Sequence, residues 1–342
     1  QSGDVATLPT RLKVVEAIAA GSVPTRTIGK GEAARIFTGS IVPPGADTIV
    51  IQENTEKDGE HVVVTQGSHG PGRHIRLAGN DFRRGQDGIP AGRRLTAAEI
   101  GLTAAMNAPW LKVARRPRVA IVSTGNELVN PGEDVAPGQI IASNGFALSA
   151  FVVACGGEAT NLGIARDETG AIGALIDRAK GADLLITSGG ASVGDHDLVQ
   201  GVLTSKGMAL DFWKIAMRPG KPLMFGTLGD LKVIGLPGNP VSALVTAALF
   251  VGPALARMLG MSELGPTVER ARIGVDLPAN DQRQDYLRAE LRRGADGLFA
   301  VPSGKQDSAM LSTLSRSGAL VIRPPHSPAI QAGAEVEVVR LG

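Results

Sequence analysis

Between Arg118 and Leu259, short apolar runs alternate with stretches of helical period, and a chain written that way has few folds open to it. Val119 to Ser123, Glu158 to Ala165, Leu184 to Thr187, Pro222 to Phe225 and Lys232 to Leu236 read as strands. Asn144 to Cys155, Thr169 to Lys180, Asp197 to Lys206 and Pro240 to Leu259 read as helices. The alternation predicts a mostly parallel sheet covered on both faces, with ligands beyond the carboxyl ends of its strands. Two loops fall there, Thr124 to Glu127 and Thr187 to Asp195.

The flanks are written differently. Residues 1–84 carry short apolar alternations, Ala34 to Thr38, Thr48 to Gln52 and His61 to Thr65, separated by turns such as Pro43-Pro44-Gly45. Thr96 with Glu99 three residues on is a capping box and opens a helix running to about Met106. After Pro266 the helical signal stops, and Val268 to Val275, Tyr286 to Leu291, Leu298 to Pro302, Leu320 to Arg323 and Glu335 to Leu341 read as an antiparallel set of strands. The expected organisation is a β-rich domain over 1–84, a linking segment over 85–116, an α/β domain over 117–265 and a C-terminal β domain over 266–342.

Charge and cysteine usage narrow the partners. Lys plus Arg number 35 against 33 Asp plus Glu, and a net charge of +2 gives no electrostatic case for nucleic acid or an anionic membrane surface. Cys155 is the only cysteine, which excludes internal disulfides and a cysteine metal cluster and suits a reducing cytoplasm; its expected role is a small buried hydrophobe. No run of about 18 apolar residues stands out, so no membrane span is expected. Gln1 opens the chain without the basic and apolar regions of a signal peptide.

The run Thr187-Ser-Gly-Gly-Ala-Ser-Val-Gly-Asp195 is built to approach an anion. Gly189, Gly190 and Gly194 let the backbone come close, Thr187, Ser188 and Ser192 carry hydroxyls, and a helix N-terminus follows. The spacing fits neither the dinucleotide fingerprint nor the P-loop, so the expected guest is a phosphate or similar oxyanion held in another way; a tight turn with no ligand uses the same residues. Ser123-Thr-Gly-Asn-Glu-Leu128 places Glu127 just past a strand end, to orient a ligand hydroxyl, help hold a metal or cap a loop.

Further along, Lys214, Arg218 and Lys221 stand in a segment where Pro219 and Pro222 break any helix, so their cations are presented from a loop, as phosphate ligands or as ordinary surface charge. In Gly235-Leu-Pro-Gly-Asn-Pro-Val-Ser242, Asn239 is a good N-cap and Pro240 a good first helical residue, which makes a second strand-loop-helix junction and a second anion site. Asp81, Asp167, Asp195 and Asp197 add oxygen ligands of the kind Mg²⁺ takes beside phosphates. The histidines lack zinc spacing, His196 reads as a loop residue, and no G-x-S-x-G elbow occurs.

Thr187 to Asp197, Lys214 to Pro222 and Gly235 to Ser242, in this order, together with Ile36-Phe-Thr-Gly-Ser40, Ala46-Asp-Thr-Ile-Val50 and Ser123 to Leu128, resemble the MoeA family of molybdopterin molybdenumtransferases, relatives of the gephyrin E domain. The resemblance implies a multidomain α/β and β fold: a MogA-like parallel α/β molybdopterin-binding domain, a β-rich N-terminal domain, a linking segment and a small C-terminal β domain. It implies insertion of molybdate into adenylylated molybdopterin (molybdopterin-AMP) with Mg²⁺ and release of AMP, in a cytoplasmic homodimer that meets MogA-type adenylyltransferases and molybdoenzyme maturation proteins. The catalytic positions it implies are Thr38, Asp81, Glu127, Asp167, Asp197, Lys214 and Arg218, with Asp197 and Glu127 as metal ligands. Lys221, Thr187, Ser188, Gly189, Gly190, Ser192, Gly194, Asp195, Pro237, Gly238, Asn239, Pro240 and Ser242 would hold the cofactor, and Arg283, Arg288, Ser308 and Ser312 resemble the region that handles molybdate. Two departures stand out. The family's Asp-Gly-Tyr-Ala segment is missing, which puts one acidic site residue ahead of Gln1, and Arg218 stands where some relatives have Lys. A MogA-like molybdopterin adenylyltransferase and a gephyrin-like scaffold are the alternatives.

Overall fold

The computed structural model describes residues 1–67, 70–189, 198–295 and 297–341. The chain divides into two compact units, Gln1–Gly88 and Ile89–Gly342. In the first, β1 (Thr10–Ile18), β2 (Glu32–Ile36), β3 (Thr55–Asp58) and β4 (His61–Val64) form a sheet of order β2-β1-β4-β3, with β1 and β2 parallel. Its small core gathers Val5, Leu12 and Val64. Thr48 to Gln52, expected as a strand, is a loop: the Ile49 N–H bonds to the Arg73 carbonyl at 3.1 Å, in a turn and not in a ladder. The nine-residue β1 escaped notice because its exposure does not alternate cleanly.

The second unit opens with α1 (Ala97–Ala105), whose capping box forms as expected, Thr96 N–H donating to Glu99 Oε2 at 2.7 Å. Then follow β5 (Arg118–Thr124), β6 (Leu128–Val129), β7 (Ile140–Ile141), α2 (Asn144–Ala154), β8 (Glu158–Ala165), α3 (Thr169–Arg178), β9 (Leu184–Ser188), α4 (Leu198–Ser205), β10 (Ala209–Trp213), β11 (Met217–Arg218), β12 (Met224–Leu228), β13 (Leu231–Leu236) and α5 (Pro240–Thr246). The main sheet runs β10-β12-β13-β9-β5-β8; its last four strands are parallel, and β10 and β12 add an antiparallel edge. Along β9 the two-residue pleat sends Leu184 and Ile186 into one core and Leu185 into the other, so both faces are packed.

After α5 the helix continues through a π turn (Ala247–Val251) into α6 (Gly252–Met258). The whole run Pro240–Met258 spans 19 residues at a mean hydropathy of 1.6, long and apolar enough to cross a membrane, which corrects the expectation that no such run exists. Here it is a core helix: Ala243, Ala247, Val251 and Leu255 are fully buried with Ile121, Ile186 and Leu236 of the sheet.

The rest of the chain supplies β14 (Val268–Ile273), β15 (Gln284–Gly294), β16 (Gly297–Pro302), α7 (Leu311–Leu314), β17 (Ala319–Arg323) and β18 (Glu335–Arg340). Their order is β15-β16-β14-β18-β17, and β17 pairs back onto β15, so five strands close into a barrel. Closure removes the exposed edges an open sheet would carry. The pairing is antiparallel except between β14 and β16, and β11 joins β15 in parallel from outside, tying the Lys214 to Pro222 segment to the barrel.

Candidate functional site

The carboxyl ends of β5, β9 and β13 lie side by side, Ser123 opposite Ser188 and Ser188 opposite Leu236. The loops that leave them therefore converge. At the end of β9, Gly189 has φ of +95°, and a Cβ there would overlap the Thr124 carbonyl, so only glycine fits. At the end of β5, the Glu127 carboxylate folds over the Gly125 α-carbon, so a Cβ there would displace that side chain. Glu127 itself is exposed. Between β5 and β8, Asn126 and Asp167 are locked reciprocally: Asn126 N–H donates to Asp167 Oδ2, and Asp167 N–H to Asn126 Oδ1, each at 3.1 Å.

Two hydroxyls expected to face a ligand, those of Thr187 and Ser188, are less available than the sequence suggests. Thr187 is 1% exposed and Ser188 2%. Ser188 Oγ accepts from Asn144 Nδ2 at 2.8 Å and donates to the Pro237 carbonyl at 3.3 Å, which makes it part of the framework beneath the loop. Gly190, Ser192, Gly194, Asp195 and Asp197 lie outside the described residues, as does His196.

The second junction also differs in detail. Pro240 is the first residue of α5 and Asn239 its N-cap, but the Asn239 side chain does not cap the helix; its Nδ2 donates to Ser308 Oγ at 2.9 Å, and the Val241 N–H goes to the Ser308 carbonyl at 3.1 Å. The helix start is thereby fastened to the barrel domain, with Gly238 and Asn239 exposed beside the first loop and Ser242 buried at 5%.

The cations split into two groups. Lys214 and Lys221 are exposed, at either end of a hairpin closed by Ile215 N–H to the Lys221 carbonyl at 3.0 Å. Lys214 has φ of +71°, a conformation a non-glycine residue keeps only where its surroundings impose it, and its Nζ lies 3.7 Å over the Trp213 ring. Arg218, by contrast, gives its guanidinium to carboxylates: Nη2 to Asp285 Oδ2, and Nη1 to Asp281 Oδ2 at 3.2 Å. Arg283 shares Asp281, at 3.2 Å through Nη2. The pairing holds Arg218 charged and keeps the Asp281 carboxyl below its ordinary range, chiefly through the Arg283 N–H.

Arg288, expected to handle molybdate, is 1% exposed. Its Nη2 donates to the Asp307 carbonyl at 3.1 Å, while Gln306 pairs with its backbone in both directions at 2.9 Å. Burial pushes the guanidinium below its usual range. Together these contacts set the segment that carries half-buried Ser308; Ser312 lies exposed on α7. Thr38 and Asp81 belong to the first unit and are exposed there.

Asn126, Asn144 and Gln306 hydrogen-bond to candidate site residues, and no sequence expectation singled them out. Asn126 stood inside a quoted motif next to a more eye-catching carboxylate, Asn144 opened an expected helix, and no local pattern marks Gln306. Among the described residues no group of three or more His, Cys, Asp or Glu gathers into a metal cage. The donor chemistry that is present, exposed Glu127 carboxylate oxygens next to phosphate-seeking loops, fits a hard cation completed by water and substrate.

A parallel α/β domain whose strand ends bring Gly189 beside Gly238, joined through Asn239 to the domain of a five-stranded barrel, defines a multidomain α/β and β protein. Residues 120–257 match the family described as a probable molybdopterin binding domain, residues 3–107 the MoeA N-terminal region (domains I and II) and residues 270–341 the MoeA C-terminal region (domain IV). The chain is 39% identical over 340 residues to the molybdopterin molybdenumtransferase of Nostoc sp., covering 97% of this chain and 78% of that protein. It is 34% identical to molybdopterin molybdenumtransferase 2 of Mycobacterium tuberculosis, covering 98% and 84%. Among solved structures, the molybdopterin biosynthesis MoeA protein of Pyrococcus horikoshii superposes with a TM-score of 0.80 at 34% identity, covering 97% of this chain and 81% of that one. The chain belongs to the MoeA family, and these curated relatives are molybdopterin molybdenumtransferases, enzymes of molybdenum-cofactor biosynthesis.

Proposed function

We propose that this chain transfers molybdenum from molybdate to adenylylated molybdopterin, releasing AMP. The observation that carries the reading is the convergence of Gly189, Gly238 and Asn239 in one α/β domain of a MoeA-family chain, with Lys214 and Lys221 exposed on the hairpin leading to the barrel. The substrate brings a pyrophosphate and a terminal phosphate, and molybdate is a dianion, so several negative groups must be held together at once. Lys214 and Lys221 supply point charges, and the glycine loops supply backbone N–H groups. Arg218 takes part through Asp281, which orients Arg283 toward the anions, and Arg288 acts through the Asp307–Ser308 segment.

Glu127, with Asp197, would hold Mg²⁺, which neutralises and polarises the phosphoanhydride when bound. A water oxygen then bonds to the molybdopterin-side phosphorus as the phosphoanhydride P–O bond breaks and AMP leaves with the bonding pair, while the two dithiolene sulfurs bond molybdenum and give up their thiol protons, with which one molybdate oxygen departs as water. Asp167 keeps the strand end of β8 aligned through Asn126, Thr38 and Asp81 are further catalytic residues carried by the first unit, and the enzyme works as a cytoplasmic homodimer. The flanking MoeA regions set the chain apart from a MogA-like adenylyltransferase, and the exposed lysine pair argues for catalysis over a purely gephyrin-like scaffold.

The test is AMP release from adenylylated molybdopterin on addition of molybdate, together with activation of a molybdenum-free apoenzyme. Wild-type protein is expected to turn over in both, and Lys214→Ala to lose at least a hundredfold in rate. Wild-type protein that releases no AMP overturns the reading. Light scattering on the same sample checks the dimer.

A further inference from the structure

The parallel ladder between β9 and β13 ends where Ser188 faces Leu236, and its last backbone bond runs from Gly189 N–H to the Leu236 carbonyl at 3.3 Å. Beyond it, a side chain from a third element bridges the two strand ends. Asn144, the first residue of α2, donates one amide hydrogen to Ser188 Oγ at 2.8 Å and the other to the Gly238 carbonyl at 2.7 Å. A carbonyl can only accept, so the group facing Gly238 is the NH₂, and Ser188, already accepting from it, directs its own proton to the Pro237 carbonyl at 3.3 Å. Both hydrogens of the amide and the hydroxyl of Ser188 are thus accounted for in one closed chain. The bonds continue outward through Asn239 Nδ2 to Ser308 Oγ at 2.9 Å. Asparagine is a weak helix former, so helix propensity gives no reason for it at position 144.

We infer that Asn144 is a positioning residue that fixes the separation between the end of β9 and the Pro237–Asn239 turn, so that both walls meet the same phosphorylated ligand. The inference rests on the transferase reading, and it assigns Asn144 an effect on substrate binding through Ser188 and Gly238 with no part in bond making. Alanine at 144 removes both donors. Aspartate removes them and sets a carboxylate against the Gly238 carbonyl and the Ser188 oxygen, so it is the worse of the two.

The experiment measures steady-state AMP release against adenylylated molybdopterin concentration for wild type, Asn144→Ala, Asn144→Asp, Ser188→Ala and Asn144→Ala/Ser188→Ala, each first shown to be folded by circular dichroism. Expected are a KM raised about fivefold in Asn144→Ala and more than tenfold in Asn144→Asp, with kcat within about twofold of wild type. The double variant is expected to bind no worse than the poorer single variant, because one chain of bonds is being cut twice. A KM within twofold of wild type in Asn144→Ala, a fall in kcat at unchanged KM, or multiplication of the two single effects in the double variant overturns the inference. Wild-type protein that releases no AMP overturns the transferase reading itself and is seen in the same assay before any variant is compared.

Discussion

Arg218 and Asp285 form an ion pair where β11 runs parallel to β15, binding the segment that carries the lysines to the barrel. The Asp285 side chain is 6% exposed, its Oδ1 has no hydrogen-bond partner among the described residues, and the Arg218 side chain is 46% exposed, so the arginine helps make a buried carboxylate tolerable. Removing it leaves that carboxylate to the buried Arg323 across the β15–β17 ladder, with no hydrogen-bonded cation of its own. Arg218→Ala is expected to lower stability by about 2 kcal/mol, read in urea unfolding, below the full value for a buried pair because the arginine is half in solvent. Arg218→Lys keeps the charge but cannot fork between Asp285 and Asp281, and is expected to fall between the two. Equal stability of Arg218→Ala and wild type would show that the pair holds nothing together.

Arg288 tests a different balance. A cation at 1% exposure with Nε unpartnered is expensive to bury, so Arg288→Met, which fills similar space without charge, is expected to be as stable as wild type or more so. What it loses is the bond to the Asp307 carbonyl that sets the Ser308 segment. The expected signature is an unchanged or raised Tm with the KM for molybdate up about fivefold; a lower Tm with unchanged KM would place Arg288 in the fold alone.

The elements whose residues carry strong local signals were legible before the structure was seen. β8 begins and ends where apolar alternation placed it, and α1 starts at its capping box, because in both cases neighbours in sequence decide the outcome. β10 and β11 were not legible: β10 lies at the sheet edge with most of its residues exposed, and β11 is two residues long and exists only because Gln284 and Asp285 are there to pair with it. The site shows the same division. The prolines around Lys214 and Lys221 do foretell that both are exposed and off any helix. That Arg218 is engaged by Asp285, 67 residues away, or that Ser188 turns its hydroxyl inward to Asn144 and Pro237, depends on contacts no local pattern encodes.

Asp183 gives the fold a pH dependence at its acid end. Arg115 binds its carboxylate through two nitrogens, at 2.7 and 2.6 Å, and the Arg118 N–H at the start of β5 adds a third bond at 2.7 Å. These hold the carboxyl at about 2, below the ordinary 3.8. A depressed folded-state value contributes stability above the unfolded value, and that contribution is lost as pH falls from about 4 through 2. With Arg115 largely in solvent the pair is worth about 1 kcal/mol. The stability gap between wild type and Asp183→Asn should be flat from pH 6 to 8 and close between pH 4 and 2; a gap that persists at pH 2 would assign it to packing.

Gly189 is the position where fold and site meet most tightly. It ends the ladder of β9, its φ of +95° disfavours any side chain, and the nearest atom to an added Cβ would be the Thr124 carbonyl oxygen, backbone that cannot rotate away. Alanine there adds the strain of a positive φ to a steric overlap at the strand ends of β5 and β9, and the combined penalty is expected to exceed about 2 kcal/mol. The strand end must shift to relieve it, and Ser188, one residue back, moves with it and loosens its bond to Asn144. Gly189→Ala should therefore lower Tm and raise the KM for adenylylated molybdopterin together. The comparison is Gly170→Ala, at an α3 position where an added methyl meets no atom within 4 Å and glycine has no positive φ. That variant is expected to keep wild-type kinetics with a slightly raised Tm, as replacing glycine in an exposed helix position does. Similar behaviour of the two variants would mean that the close approach at Gly189 places no constraint on the site.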